Sequence, residues 1–159
     1  MGKQFLAWQD IENLVDRLVT QIPRKYDAIL AITRGGLVPA CLISEKMDFR
    51  NIMVAAIQFY TDLGKTLREP VFLQFPPDPF LHGQRILVVD DVWDSGRTVM
   101  AVKQRILQAG GVPEVAVLHY KPESSHFPGQ KPEFYSEATE AWIVYPWDAE
   151  KDEWAKRPD

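Results

Sequence analysis

Cysteine is almost missing from this chain. Cys41 stands alone among 159 residues, which excludes an internal disulfide and a multi-cysteine zinc site. Histidine is nearly as scarce: His82, His119 and His126 share no metal-ligand spacing, so none is assigned a metal. No apolar run approaches the roughly 18 residues of a membrane span. The opening MGKQFLAWQD has no apolar signal-peptide core. Gly2 lacks the Ser or Thr of a myristoylation motif, since the sixth residue is Leu6. Basic charge is short too, with 18 Lys+Arg against 22 Asp+Glu and a net charge of -4. A nucleic-acid or membrane surface calls for a basic face, whereas a small anion needs only a local one. The expectation is a cytoplasmic protein whose partners include neither nucleic acid nor membrane.

What is present suits one soluble domain, 1–159, with 46% hydrophobic and 25% charged residues. Ile11, Leu14, Val15, Leu18, Val19 and Ile22 recur at helical spacing, predicting an amphipathic helix over 8–22 that Pro23 ends. Short apolar runs at 27–33, 51–60, 85–90, 112–120 and 141–145 read as strands, and 37–47 and 98–109 as helices. Cys41, inside the apolar helix 37–47, reads as a buried structural thiol. Strands alternating with helices imply an α/β fold, a parallel sheet with helices on both faces. Ligands of such sheets sit outside the carboxyl ends of the strands. Polar turns after Thr33, Asp90 and Tyr120 occupy those ends.

The most informative stretch is ILVVDDVWDSGRT, residues 86–98. A strand delivers Asp90 and Asp91, and the turn Asp94-Ser95-Gly96-Arg97-Thr98 opens a helix. Unpaired N–H groups and the helix dipole suit that turn to phosphate, and Gly96 permits close backbone approach. Asp90 and Asp91 cannot hold phosphate; they suit vicinal hydroxyls or a magnesium ion. The plainer alternative is a solvated acidic turn with Asp94 as a helix cap. The fingerprints G-x-x-x-x-G-K and G-x-G-x-x-G are both absent.

VVDDVWDSGRT resembles the signature by which type I phosphoribosyltransferases bind 5-phosphoribosyl 1-diphosphate (PRPP). That resemblance implies a Rossmann-like core in which Asp90 and Asp91 hold the ribose hydroxyls and place Mg2+. Residues 94–98 then cradle the 5-phosphate. Trp93 is bulkier than such a signature leads one to expect, and its role stays open. ITRGGLVPA, residues 32–40, is a tight turn by itself. Beside the signature it resembles the family's diphosphate loop, with Arg34 as a permanent cation and Gly35 and Gly36 exposing amides. A non-proline cis peptide at Arg34–Gly35 is compatible with this.

HYKPES and AWIVYPWD, residues 119–124 and 141–148, resemble the purine pocket of the 6-oxopurine enzymes, closest to the short bacterial xanthine-guanine type. By that likeness Lys121 addresses the 6-oxygen and Trp142 stacks on the base. The backbone of Ile143 reads the ring edge and Asp148 assists at the 2-position. Taken singly, Lys121 reads as a solvated surface residue and the aromatics as core. Residues 60–84 match a flexible lid or a surface loop, with Tyr60, Lys65 and Arg68 as lid candidates, and 121–159 a small hood. The resemblance implies an Mg2+-dependent transfer from PRPP to N9 of hypoxanthine, guanine or xanthine, with Asp94 as general base, in a homodimer or higher oligomer. Two rival expectations are a PRPP-sensing regulator and a transferase for another nucleobase.

Overall fold

A computed structural model describes residues 2–59, 61–62, 65–66 and 69–148. The helices are α1 (Trp8–Val19), α2 (Leu37–Met47) and α3 (Arg97–Gln108). The strands are β1 (Lys3–Phe5), β2 (Ala28–Ile32), β3 (Ile52–Gln58), β4 (Thr61–Asp62), β5 (Lys65–Thr66), β6 (Val71–Gln74), β7 (Arg85–Trp93), β8 (Val112–Tyr120), β9 (Phe134–Ala138) and β10 (Trp142–Val144). Six of them form one sheet in the order β6-β3-β2-β7-β8-β9. Every neighbouring pair in it is parallel except β3 with β6.

Period-two alternation divides the core. Ile29, Ala31, Leu87 and Val89 pack with Ile11, Val15 and Ile43 of α1 and α2 on one face. Leu30, Ile32, Ile86 and Val88 pack with Val99, Val102 and Ile106 of α3 on the other. Helices on both faces explain why β2 (AILAI) is buried at every position. In α1 the apolar stripe Ile11, Leu14, Val15 and Leu18 is buried as its spacing requires. The side chain of Asp10 accepts from the Ala7 N–H at 2.7 Å, satisfying a donor before the first turn.

Two features place the ligand side of the sheet. The chain leaves β2 through α2 to β3 on one flank, and β7 through α3 to β8 on the other, so the strand order switches between β2 and β7. Such a switch opens a crevice at the strand ends. β7 is also longer than its neighbour: β2 pairs with it only as far as Val89, opposite Ala31. Asp90 therefore stands level with Ile32, the last residue of β2, and Asp91 projects past it into that crevice.

Several expectations need correction. Cys41 is exposed, because α2 buries Pro39, Ala40, Ile43 and Ser44 and position 41 lies off that stripe. The non-proline cis peptide falls at Thr33–Arg34, one bond before the position considered. β7 runs three residues beyond Asp90, which puts Trp93 inside the strand. Residues 71–84 are not a loose connection. β6 pairs with β3, Asp78 pairs with Arg105 of α3, and Leu81 is fully buried. Tyr60 and Arg68 lie outside the described residues, as does the side chain of Lys65. β1, β6 and β9 were not foreseen. β1 lies parallel to β10, with Lys3, Gln4 and Phe5 opposite Trp142, Ile143 and Val144. Among the described residues no helix is long and apolar enough to cross a membrane.

Candidate functional site

Two cavities meet at the carboxyl ends of β2 and β7. The larger, about 790 Å³, is lined by Arg34 and Gly35 from the β2 turn, by Asp90 and Asp91, and by Thr98 in the first turn of α3. The smaller, about 180 Å³, is lined by Asp94, Lys121, Trp142 and Ile143, with Tyr145 beside them. Asp91 and Asp148 border both. The structure thus gathers the sequence candidates into two adjoining groups, and Asp94 falls in the smaller. Ser95, Gly96 and Arg97 line neither cavity, and Gly36 sits beneath the β2 turn, where a Cβ would come 2.3 Å from the Val89 carbonyl. A third cavity of about 610 Å³, beside Met53, Phe75 and Pro77, is lined among the described residues by no titratable side chain.

Close packing dictates the glycines. A Cβ on Gly35 would stand 2.3 Å from Asp91 Oδ2, so the β2 turn rests directly against the acid. Gly96 adopts φ 81°, and a Cβ there would lie 2.4 Å from Trp93 Nε1. Trp93 is fully buried and donates to Ser125 Oγ at 3.1 Å. It is a strut under the turn 94–98. The His126 N–H donates to the Ser95 carbonyl at 2.9 Å, holding the same turn from the β8 loop. The Arg97 guanidinium lies 4.4 Å from the Phe59 ring centroid.

The acid pair is electrostatically poised. The Asp91 N–H donates to Asp90 Oδ1 at 2.9 Å, and the Val92 N–H to Asp91 Oδ1 at 2.7 Å. Burial, and next the charge of Asp91, push the Asp90 carboxyl well above the usual range. Burial raises Asp91 as well, against the lowering effect of the Val92 N–H. The pair therefore carries its negative charge reluctantly, and a nearby cation would relieve it. A hard divalent ion suits these oxygen donors. Among the described residues no cluster of three or more His, Cys, Asp or Glu side chains could hold a metal. Asp90 and Asp91 would thus share such an ion with ligand oxygens or water.

In the smaller cavity the buried Lys121 ammonium lies 3.1 Å from Asp94 Oδ2 and 5.8 Å from the centroid of exposed Trp142. The Lys121 N–H donates to the Trp93 carbonyl at 2.9 Å, tying this lysine to the end of β7. Ile143 is buried, in register with Gln4. Asp148 Oδ2 accepts from the Tyr145 N–H at 3.0 Å.

Sequence reasoning assigned no site role to Tyr145, Trp147 and His119. The Tyr145 hydroxyl donates to the main-chain oxygen of Asp91 at 3.1 Å and lies 2.8 Å from His119 Nδ1. Its ring stacks on Trp147, centroids 4.8 Å apart. Burial, and then the charges of Asp91, Asp90 and Asp148, raise the phenol, so it remains a donor. Burial pushes His119 down to about 4. The Trp147 Nε1 is buried and, among the described residues, has no partner of hydrogen-bonding geometry, although it lies close enough to Asp91 to favour that carboxylate's charge. The density of aromatics in AWIVYPWD was the available signal.

Comparison with known proteins gives a consistent result. The sequence matches the phosphoribosyl transferase domain family over residues 1–154. The xanthine-guanine phosphoribosyltransferase of Gluconobacter oxydans is 31% identical over 147 residues, covering 90% of this chain and 83% of that one. A purine phosphoribosyltransferase from Pyrococcus horikoshii superposes with a TM-score of 0.81 at 30% identity, over 92% of this chain and 95% of that one. A hypothetical protein from Neisseria gonorrhoeae with bound ppGpp gives a TM-score of 0.81 at 31% identity, over 96% and 93% of the two chains.

Proposed function

Since the chain belongs to the phosphoribosyl transferase domain family, we propose that it transfers the 5-phosphoribosyl group of PRPP to N9 of a 6-oxopurine and releases diphosphate. The supporting observation is the junction at Asp91, where a cavity with an acid pair, a cation and a helix start meets one with a cation, an acid and an exposed indole.

In this reading Asp90 and Asp91 take the ribose hydroxyls. The turn 94–98 receives the 5-phosphate on backbone amides, Ser95 and Thr98, near the start of α3. Arg34 and Gly35 meet the diphosphate, with Gly36 packed beneath them. Mg2+ held by Asp90 and Asp91 would supply charge neutralisation for that leaving group. Lys121 donates to the 6-oxygen and Trp142 covers the ring face, a contact of the kind worth about 1–3 kcal/mol per base. The Ile143 backbone and Asp148 read the remaining edge.

A C1–N9 bond then forms while the C1–O bond to diphosphate breaks, its electron pair leaving on oxygen. Charge develops at C1 as in glycoside cleavage. The displaced ring N–H proton passes to Asp94, a general-base contribution of about 10²–10⁴. Fixing the sugar at its far phosphate directs remote binding energy to that centre.

The test is incubation with PRPP, Mg2+ and each nucleobase, watching for nucleotide. Turnover of hypoxanthine, guanine or xanthine supports the reading, and consumption of none of the three overturns it. A PRPP sensor has less support, because binding PRPP alone needs no second cavity. Adenine lacks the 6-oxygen that Lys121 would address. The ppGpp of the Neisseria neighbour joins a guanine ring to clustered phosphates, chemistry that suits adjoining cavities of these two kinds. We accordingly propose ppGpp as a competitor of PRPP, to be checked as an inhibitor in the same assay.

A further inference from the structure

Tyr145 sits between the two cavities. Its ring lines the smaller one, while its hydroxyl reaches the main-chain oxygen of Asp91, which borders both. Both hydroxyl contacts are short, 3.1 Å to the Asp91 oxygen and 2.8 Å to His119 Nδ1. A phenol carries one proton, and a carbonyl oxygen only accepts. The proton therefore lies toward Asp91, and the second contact needs its own proton from the imidazole. That fixes His119 as the neutral tautomer with hydrogen on Nδ1. The opposite tautomer would set two lone pairs against each other at one of these contacts. His119 Nε2 then carries only a lone pair, which agrees with its being buried with no partner among the described residues. A bare acceptor is more tolerable there than a stranded N–H donor.

The surroundings make this arrangement rigid. His119 is 1% exposed and stands opposite Val92 in the β7–β8 register. Tyr145 is 4% exposed, with Trp147 stacked on it and the Asp148 carboxylate accepting from its own N–H. Pairing of β2 with β7 has already ended at Val89. The Tyr145 hydroxyl thus ties down a part of β7 that β2 no longer supports. On the other side, the Asp91 carboxylate is confined by Gly35 and by the Val92 N–H.

We infer that Tyr145 is a positioning residue: oriented by the Nδ1–H of His119, its hydroxyl fixes the main chain of Asp91 and so joins the floor of the smaller cavity to the acid pair of the larger. Its kinetic consequence rests on the transferase reading, but its structural content does not.

The test has two arms. In the first, nitrogen-15 NMR of the histidine-labelled protein at neutral pH reports the His119 tautomer. Hydrogen on Nδ1 is expected; hydrogen on Nε2 overturns the inference. In the second, calorimetry measures PRPP binding with Mg2+, independently of turnover. Tyr145→Phe keeps the ring and the stack, and should weaken PRPP binding about tenfold through loss of the buried hydrogen bond to the Asp91 main chain, with base KM changed less than about twofold. His119→Asn keeps a donor near the Nδ1 position and should restore near-normal PRPP binding. His119→Leu should behave like Tyr145→Phe. Unchanged PRPP affinity in Tyr145→Phe overturns the inference even if the wild type turns over purines. Weakened binding with no purine turned over leaves it standing and removes the transferase reading instead. A wild type that binds no PRPP removes the transferase reading and the kinetic consequence, and the His119 tautomer then decides the structural content.

Discussion

Lys121 Nζ lies 3.1 Å from Asp94 Oδ2, so the cation proposed to read the base is already engaged with the acid proposed to take its proton. The lysine side chain is 9% exposed and the aspartate 51%. Water screens the acid and hardly reaches the amine. In the proposed reaction, an incoming 6-oxopurine has to share or displace this contact. The ion pair thus keeps a buried ammonium satisfied.

Lys121→Met preserves the apolar stem and removes the charge. Base KM is expected to rise roughly 10–100-fold, the loss of a charged hydrogen bond of about 1.5–3 kcal/mol. PRPP KM should change little, because Lys121 lines only the smaller cavity. Steady-state kinetics with each substrate varied in turn separates the two. Equal effects on both would remove Lys121 from base recognition.

Gly35→Ala drives a methyl toward a carboxylate 2.3 Å away. The backbone there needs no positive φ, so the fold should survive with a small loss of stability. Asp91 must swing off the Val92 N–H, and PRPP affinity is expected to fall about tenfold or more. Calorimetry beside a thermal melt checks the separation. A large drop in melting temperature with intact affinity would contradict it.

Gly96→Ala combines a left-handed backbone with a collision against buried Trp93. The conformation alone costs about 1–3 kcal/mol, and the turn 94–98 must shift. Trp93→Phe gives up the Ser125 hydrogen bond, about 1 kcal/mol, and vacates space beside Gly96. The double variant is therefore expected to lose less stability than the two single losses added together. Urea titration of all four proteins measures the coupling, and strict additivity would show that the ring does not support the turn.

His119 supplies the pH dependence. Its folded value of about 4 lies below the ordinary 6.5, so the unfolded chain binds a proton first on acidification. Stability is present above about pH 6.5 and is lost as pH falls toward 4, by about 3 kcal/mol in all. Among its charged neighbours Glu137 opposes the shift, while Arg17 and Lys121 reinforce it. The raised Asp90 and Asp91 act in the opposite sense, because they take up protons more readily when folded. The difference between wild type and His119→Asn in denaturant midpoints across this range isolates the histidine. A parallel pair of curves would rule it out.

Much of this was legible in the sequence because backbone demand and chemistry coincided. The β7 strand and its turn carry apolar period, acids and glycine in one run. That run placed Asp90, Asp91 and Thr98 at one crevice with Arg34 and Gly35. Lys121 and Trp142 emerged from family likeness, and the fold does bring them beside Asp94. Trp93 was opaque because its role depends on Ser125, more than thirty positions away and invisible to local pattern. Tyr145 and His119 were missed for the same reason: tyrosine near a strand reads as packing until its hydroxyl is located. Cys41 failed because α2 is apolar around most of its circumference, so composition could not say which side faces the sheet. β1 and β9 are short and partly exposed, with too little periodicity to announce themselves.

The pairing of β1 with β10 has a consequence for handling the protein. Among the described residues the only strand beside Trp142–Val144 is Lys3–Phe5, so the wall that carries the Trp142 indole leans on three exposed residues, Lys3 to Phe5. A nick between Phe5 and Trp8, or a bulky fusion pressed against that strand, is expected to blunt discrimination among bases while leaving sugar-phosphate capture intact. Selectivity assays on tagged and untagged preparations would reveal whether this remote splint governs what the pocket accepts.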